Sequence, residues 1–386
     1  MKVLIIATGY PSRQDSRWGC FERDQAIALK NSGHDVSILV LDAGINRHGL
    51  KHGISITHTD AFDVYVGHWF PTKILKIFGD RFRDRVTCYL LNRVYQRLVK
   101  DFGVPDIMYA HYQWNIYFSL YLKEKYGIPL VGIEHWSVLM REQLPVVIER
   151  RGRKAYTQVD KLLAVSKALS DSLGRKFGVD AEVVNNMLGP EFLGYTHEAK
   201  RVSEGVHFIA IGSLLPIKRY DLLIRAFAES GLSNKGCSLS IVGDGSERQL
   251  LEEIVEEYHI QDSVHLVGRK GKEEIVQALR ESDVFVVSSR SETFSVVCIE
   301  AMSQGLPCIA TRCGGPEEIV TEKDGVLIDP EDQEGMKRAL IYMFDNHSQF
   351  DRDDISCRCL NRFSPEVIAR QLTDIFNGII SNRSDS

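Results

Sequence analysis

Glu292 and Glu300 stand eight positions apart in the segment Val284-Phe-Val-Val-Ser-Ser-Arg-Ser-Glu-Thr-Phe-Ser-Val-Val-Cys-Ile-Glu300. The apolar run Val284 to Val287 reads as a buried strand ending in a Ser-rich turn. A helix is expected to start near Ser295 and to bury much of Val296, Val297, Ile299, Ala301 and Met302. The first-turn N–H groups of such a helix have no intrahelical partner, so they form an anion site. Glu292 then lies in the loop ahead of that site and Glu300 inside the helix. Two carboxylates around an anion pocket accept hydrogen bonds from hydroxyls, which is how a sugar and a ribose are held on either side of a diphosphate.

Other residues have types suited to the same chemistry. Lys218 and Arg219 stand just before a helix, in Gly212-Ser-Leu-Leu-Pro-Ile-Lys-Arg-Tyr-Asp221, where a cation meets a diphosphate. An isolated Lys-Arg pair alone reads first as a solvated basic turn. Gly243-Asp-Gly245 also follows a strand, and its glycines permit close backbone approach to a nucleotide or simply a tight turn. Arg269 ends a strand at the carboxyl edge, where it can flank a base. Gly19, in Trp18-Gly-Cys-Phe21, lets a backbone N–H approach phosphate or sugar, though turn geometry alone also explains it. His111 and His135 close two strands at one sheet edge. A single such histidine is more often structural than catalytic, and the pair evens the balance.

The elements that must position these groups alternate along the whole chain. Strands are expected at Val3–Ala7, Val36–Leu41, Ile107–Ala110, Leu130–Ile133 and Leu162–Val165. In the second half they are expected at His207–Ile211, Leu239–Val242, Val264–Val267, Val284–Ser288, Cys308–Ala310 and Val326–Ile328. Amphipathic helices, such as Tyr220–Ser230, Glu247–Tyr258 and Lys272–Glu281, fall between them. Continuous apolar strands separated by helices imply parallel sheets covered on both faces. The chain's 386 residues imply two domains. The join is expected within the polar stretch Gly189–Gly205, with the ligand cleft beyond the carboxyl ends of the strands.

Composition narrows the function. At 44% hydrophobic and 26% charged residues the chain is ordinarily globular, and its net charge of -5 gives no reason to expect nucleic acid. No apolar run reaches the roughly 18–20 residues of a membrane span, and the opening apolar residues read as a first strand rather than a signal peptide. Eight cysteines without a Cys-x-x-Cys pair fit free thiols of a reducing, cytoplasmic compartment. A Gly-x-Ser-x-Gly elbow, a phosphate loop ending in Gly-Lys-Ser/Thr, a His-Glu-x-x-His and a dinucleotide fingerprint after the first strand are all missing. Residues 73–100 carry eight basic residues interleaved with Ile74, Phe78, Phe82 and Leu90. Two readings fit them equally: a surface for anionic lipid headgroups, at the inner face of a membrane, or a packed helix with a solvated basic face.

Taken together, the motifs resemble the retaining glycosyltransferases of the GT-B architecture, specifically the family-four (group 1) type with a Glu-x7-Glu motif. The likeness runs through Gly19-Cys-Phe-Glu-Arg-Asp-Gln-Ala-Ile-Ala-Leu, Ala110-His-Tyr-Gln-Trp, Asn186, Lys218-Arg-Tyr-Asp, Gly314-Gly-Pro-Glu-Glu-Ile-Val320 and Phe363-Ser-Pro365. It implies two Rossmann-like domains with parallel sheets facing across a cleft: residues 1–195 for the acceptor and 196–365 for the nucleotide sugar. A C-terminal helix in 366–386 is expected to pack back toward the first.

The resemblance also implies roles. Glu300 looks like the glutamate that binds the ribose, and Glu292 like the one that contacts the donor sugar. The backbone N–H groups of Thr293, Phe294, Ser295 and Val296 would hold sugar and distal phosphate. Lys218 resembles the lysine that neutralises the leaving diphosphate, and His111 the histidine that contacts the sugar near the reacting carbon. Such enzymes need no metal or other cofactor. The donor is a nucleotide diphosphate sugar, and a glycan or lipid-linked molecule accepts the sugar, in cell-surface polysaccharide or glycolipid synthesis. The chain departs from the family pattern at Ser213, where Arg is frequent, and at Thr293 and Ser295, where the family's Glu-Gly-Phe-Gly has glycines. Ser213 and Thr293 support one alternative, a non-catalytic nucleotide-sugar-binding partner subunit.

Overall fold

The computed structural model describes residues 1–11, 18–42, 53–69, 77, 79–194 and 205–384. The chain divides into two compact units. The expected join lies partly outside the described residues, as do Lys73, Ile74, Lys76 and Phe78 of the basic stretch.

The first unit comprises Met1–Val165, Leu169–Asn185 and Pro365–Ser386. Its strands are β1 (Lys2–Ala7), β2 (Asp35–Asp42), β3 (Gly53–His58), β4 (Asp63–His68), β5 (Ile107–His111), β6 (Leu130–Glu134), β7 (Lys161–Ala164) and β8 (Glu182–Val183). They form one sheet in the order β3-β4-β2-β1-β5-β6-β7-β8. Val3 to Ala7 are all buried, because β1 pairs in parallel with both β2 and β5 and lies under helices on both faces. That central position is why its sequence is apolar without alternation. Strands β3, β4 and β8 go beyond the elements expected from the sequence. β3 runs antiparallel to β4 at the sheet's edge and is half exposed, so Ile54 and Ile56 alternate with Ser55 and Thr57 instead of forming an apolar run. The helices α1 (Cys20–Asn31), α2 (Asp80–Phe102), α3 (Tyr112–Tyr126), α4 (Val146–Gln158) and α5 (Lys167–Phe177) fall between the strands.

The second unit comprises Ser166–Ala168 and Asn186–Ser364. Its strands are β9 (His207–Ile211), β10 (Ser238–Val242), β11 (Val264–Gly268), β12 (Val284–Val287), β13 (Cys308–Thr311) and β14 (Gly325–Ile328). They lie in the order β11-β10-β9-β12-β13-β14 and every pairing is parallel. The helices are α6 (Tyr220–Glu229), α7 (Arg248–Glu257), α8 (Lys272–Glu281), α9 (Val296–Ser303), α10 (Gly315–Ile319), α11 (Gln333–Asn346) and α12 (Arg352–Phe363). Phe208, Leu223, Phe227, Leu239, Ile241, Val284, Met336 and Leu340 build one continuous core from β9, β10, β12, α6 and α11. Each such side chain contributes roughly 1.5–3 kcal/mol by leaving water. The chain closes with α13 (Pro365–Ser384), which returns to the first unit. There Phe376 packs on Tyr109 at 5.4 Å, and His34 hydrogen-bonds Thr373 at 2.8 Å.

Each sheet changes direction once. In the first unit the chain fills one side from β1 outward and then returns to place β5 beside β1. In the second it returns to place β12 beside β9. At such a switch point the loops that leave neighbouring strands turn opposite ways and open a crevice at the carboxyl ends, where α/β sheets bind ligands. His111 ends β5, the Gly212–Arg219 loop leaves β9, and the Ser288–Ser295 loop leaves β12.

Candidate functional site

At the switch point of the second unit, two loops are fastened to each other. After β9, Pro216–Lys218 forms one 3-10 turn ahead of α6. After β12, Ser288 Oγ donates to the Lys218 carbonyl at 2.7 Å, and the Arg290 N–H donates to the Ile217 carbonyl at 2.8 Å. This fixes the backbone beneath Lys218. Its Nζ donates to Glu292 Oε1, which also accepts from Ser289 Oγ at 2.8 Å. Lys218 and Glu292, 74 positions apart in the chain, thus form a mostly buried ion pair.

Glu292 owes its place to a third loop. Its N–H donates to the Cys313 carbonyl at 2.9 Å, and its carbonyl accepts from the Gly315 N–H at 3.0 Å. Gly314 has φ +115 and ψ -101, a conformation that only glycine adopts readily. A Cβ on Gly315 would overlap the backbone of Phe294. The sequence reading did not single out either glycine as a site residue, nor Ser288 or Ser289. Two adjacent glycines before a proline were the available signal.

The Glu292–Ser295 loop ends in Ser295, which caps α9 with φ +79 and ψ 74 and accepts the Cys298 N–H at 3.1 Å. A left-handed backbone costs a residue with a Cβ about 1–2 kcal/mol. Ser295 Oγ is buried and has no hydrogen-bond partner. No side chain caps α9 and no acidic residue occupies its first turn, so the positive end of the helix is uncompensated. Val296 is the first residue of α9 and Glu300 the fifth. Thr293 is half buried. The side chain of Phe294 is committed to the core, against the Phe363 ring at 5.8 Å, so only its backbone N–H is available for a ligand.

The other expected residues take more structural roles. Arg219, left-handed at φ +52, grips Asp221 with two hydrogen bonds of 2.9 and 3.1 Å and also pairs with Glu331. Its charge is therefore already matched. Arg269 is exposed and lies 3.8 Å from Asp244. A Cβ at Gly243 would strike the Gly212 carbonyl, and one at Gly245 the Leu214 carbonyl. These glycines bring two loops of the protein together, which explains them without a ligand. Among the described residues, no three His, Cys, Asp or Glu side chains converge as a metal site. Burial pushes the Cys313 thiol up to about 12, with Glu292 adding to the shift.

At the switch point of the first unit the groups are neutral rather than paired. His111 is fully buried, and desolvation, with His135 beside it, holds its imidazole well below the ordinary value. Its Nδ1 lies 3.2 Å from His135 Nε2, while its own Nε2 has no hydrogen-bond partner. Tyr112, the next residue, has φ +67. Three of the five left-handed non-glycine residues among the described ones, Tyr112, Arg219 and Ser295, thus follow β5, β9 and β12. Glu134 ends β6 and accepts the Tyr156 hydroxyl at 2.8 Å; burial raises its carboxyl to about 8. Gly19, at φ +77, caps α1 and packs directly on the Gly9 carbonyl, so local geometry already requires it.

Comparison with known proteins matches both units. Residues 197–355 match the family described as glycosyl transferases group 1, and residues 23–191 match glycosyltransferase family 4. An uncharacterised glycosyltransferase of Methanocaldococcus jannaschii is 26% identical over 295 residues, which is 75% of this chain and 80% of that one. Among solved structures, the sucrose-phosphate synthase of Thermosynechococcus elongatus superposes with a TM-score of 0.79 at 17% identity, covering 99% of both chains. Anabaena HepE, in complex with UDP, superposes with a TM-score of 0.72 at 16% identity, covering 98% of this chain and 99% of that one. These likenesses identify the fold as GT-B.

Proposed function

Since this chain belongs to the family-four glycosyltransferases of the GT-B type, we propose that it transfers a sugar from a nucleotide diphosphate sugar to an acceptor hydroxyl with retention of anomeric configuration. The observation that supports this reading most is the Lys218–Glu292 pair beside the uncapped N-terminus of α9. A diphosphate entering there takes Lys218 from Glu292 and accepts the free N–H groups of Thr293 to Val296. Glu292, released, accepts from donor-sugar hydroxyls, and Glu300 from those of the ribose. UDP bound to Anabaena HepE supports a nucleotide diphosphate as the ligand class.

In the transfer, the bond between the anomeric carbon and the distal phosphate oxygen breaks. The acceptor oxygen bonds to the same face of that carbon, and its proton passes to the departing phosphate. Lys218 and the α9 N-terminus stabilise the negative charge that grows on the leaving group, the kind of interaction that lowers a barrier most. The reaction needs no metal or cofactor. The family resemblance assigns His111 the contact with the donor sugar near the reacting carbon. In this reading Glu292 holds the donor sugar and is not the nucleophile of a double displacement.

The test is a screen of nucleotide sugars by thermal shift, followed by assay of nucleotide diphosphate release and of the anomeric configuration of the product. A donor that stabilises the protein without any release of nucleotide diphosphate would favour the non-catalytic partner subunit. A product of inverted configuration would overturn retention.

We also propose that the acceptor is lipid-linked and met at an anionic membrane surface, for synthesis of cell-surface glycan on the cytoplasmic side. On α2, the exposed residues Phe82, Arg85, Tyr89, Arg93 and Lys100 recur at spacings of three, four and seven, so they share one face. Arg83 does not belong to that face: it is buried, paired with Asp80 at 2.9 Å and near the Trp114 ring. No helix among the described residues is long and apolar enough to cross a membrane. Sedimentation with phosphatidylserine vesicles at low salt should fall when Arg85 and Arg93 become Glu. An absence of sedimentation in the unaltered protein would sink the proposal.

A further inference from the structure

His111 and His135 meet in a geometry that assigns them different jobs. Their ring planes are 9° from parallel and their centroids 5.3 Å apart. With the nitrogens at 3.2 Å, the rings meet edge to edge, along the in-plane direction in which ring nitrogens donate and accept. His135 is held in that plane by Phe21, at 6.2 Å and 8°, and by Tyr112 at 5.1 Å. His111 is held through its backbone, since Asn115 Nδ2 donates to its carbonyl at 2.9 Å.

Burial keeps the His111 ring neutral, so one nitrogen carries a proton and the other accepts. A single proton occupies the contact between the two ring nitrogens. We propose that His135 is a positioning residue that supplies this proton, so that His111 accepts at Nδ1 and carries its own proton on Nε2. The Nε2–H form is also the ordinary tautomer of free neutral histidine. The proposal rests on the reading that His111 faces the donor sugar. It deepens that reading by making His111 a hydrogen-bond donor to a sugar oxygen rather than a base.

The buried Nε2 fits this assignment. It has no partner in the chain, and an unpaired buried donor costs about 1–3 kcal/mol. A ligand oxygen that accepts from it removes that cost. Without His135, either nitrogen of His111 can carry the proton, and the Nδ1–H form would set a lone pair against the sugar oxygen.

The test is side-chain NMR of the full chain labelled with carbon- and nitrogen-isotope histidine, with the His111 signal identified by its loss in His111→Gln. The unaltered protein should show the neutral Nε2–H pattern. His135→Phe keeps a ring beside Phe21 but removes the donor, and should let the Nδ1–H form of His111 appear beside the Nε2–H form. His135→Gln, whose amide can donate from near the same point, should restore the Nε2–H pattern alone. Donor hydrolysis should fall about tenfold in His135→Phe, as expected for one hydrogen bond. It should recover in His135→Gln with little change in donor KM. An Nδ1–H pattern in the unaltered protein, or an unmoved pattern in His135→Phe, overturns the proposal. Should the Phe variant fail to fold, the tautomer of the unaltered protein still decides. A tautomer that moves while turnover does not would uphold the role of His135 and remove His111 from the donor contact.

Discussion

The two switch points treat their polar groups in opposite ways. In the second unit, charges are kept as charges: Lys218 on Glu292, Arg219 on Asp221 and Glu331, Arg290 on Glu331. In the first unit the groups are held uncharged, with His111 pushed toward neutrality and Glu134 toward its protonated form by the same desolvation. A site that must receive and release a charged diphosphate benefits from ions that exchange partners. A site that contacts a neutral sugar benefits from fixed, uncharged donors and acceptors. The contrast matches the division of labour proposed for the two regions.

The largest expected effect comes from removing the exchangeable cation. Lys218→Ala should lower turnover by about 100-fold or more, the scale of losing a principal stabiliser of transition-state charge. Near-normal release of nucleotide diphosphate would break the contrast at its centre. Gly315→Ala forces a Cβ into the Phe294 backbone, and overpacking of this kind costs about 1–3 kcal/mol. Displacement of the Glu292–Ser295 loop should weaken nucleotide binding about tenfold, measurable by calorimetry; unchanged affinity would show that the loop is not held from this side.

The neutral region is tested by pH. Glu134 in the folded chain keeps a proton that the unfolded chain loses above its ordinary 4.5. Stability should therefore fall as pH rises from about 4.5 through about 8, where the folded group titrates. Glu134→Gln lacks this fall, so it should gain on the unaltered protein by a few kcal/mol, on the order of magnitude of the linkage, between acid and mildly alkaline pH. Parallel denaturation profiles for the two proteins would show that Glu134 is not protonated. The smallest effect is expected of Arg219→Ala. Its guanidinium is already matched by two carboxylates, so turnover should drop less than about threefold. A loss comparable to that of Lys218→Ala would mean that Arg219 leaves those partners for the phosphates.

Much of this was legible in the sequence because it is local. The strand before Glu292, the helix after Ser295 and the spacing to Glu300 all follow from neighbouring residue types. Lys218 was legible through the loop that carries it. What was hidden depends on residues distant in the chain. The locking of Glu292 by Gly315 and Cys313, the hydrogen bond from Ser288 to the Lys218 carbonyl and the sheet orders that create the switch points are long-range facts. Arg83 shows the converse: residue type suggested a surface cation, and pairing with Asp80 and Asp84 buries it. β3 escaped notice because an edge strand with one wet face carries too few apolar residues to announce itself.

The partnering of Lys218, Arg219, Arg290 and Arg269 with carboxylates has a kinetic corollary. Cations so matched cancel most of their own field beyond a few ångströms, and salt would screen what remains. A nucleotide sugar would then arrive by ordinary diffusion and feel the lysine only on contact, once Glu292 gives way. Its association rate should be modest and nearly indifferent to ionic strength, with selectivity residing in how long the ligand stays.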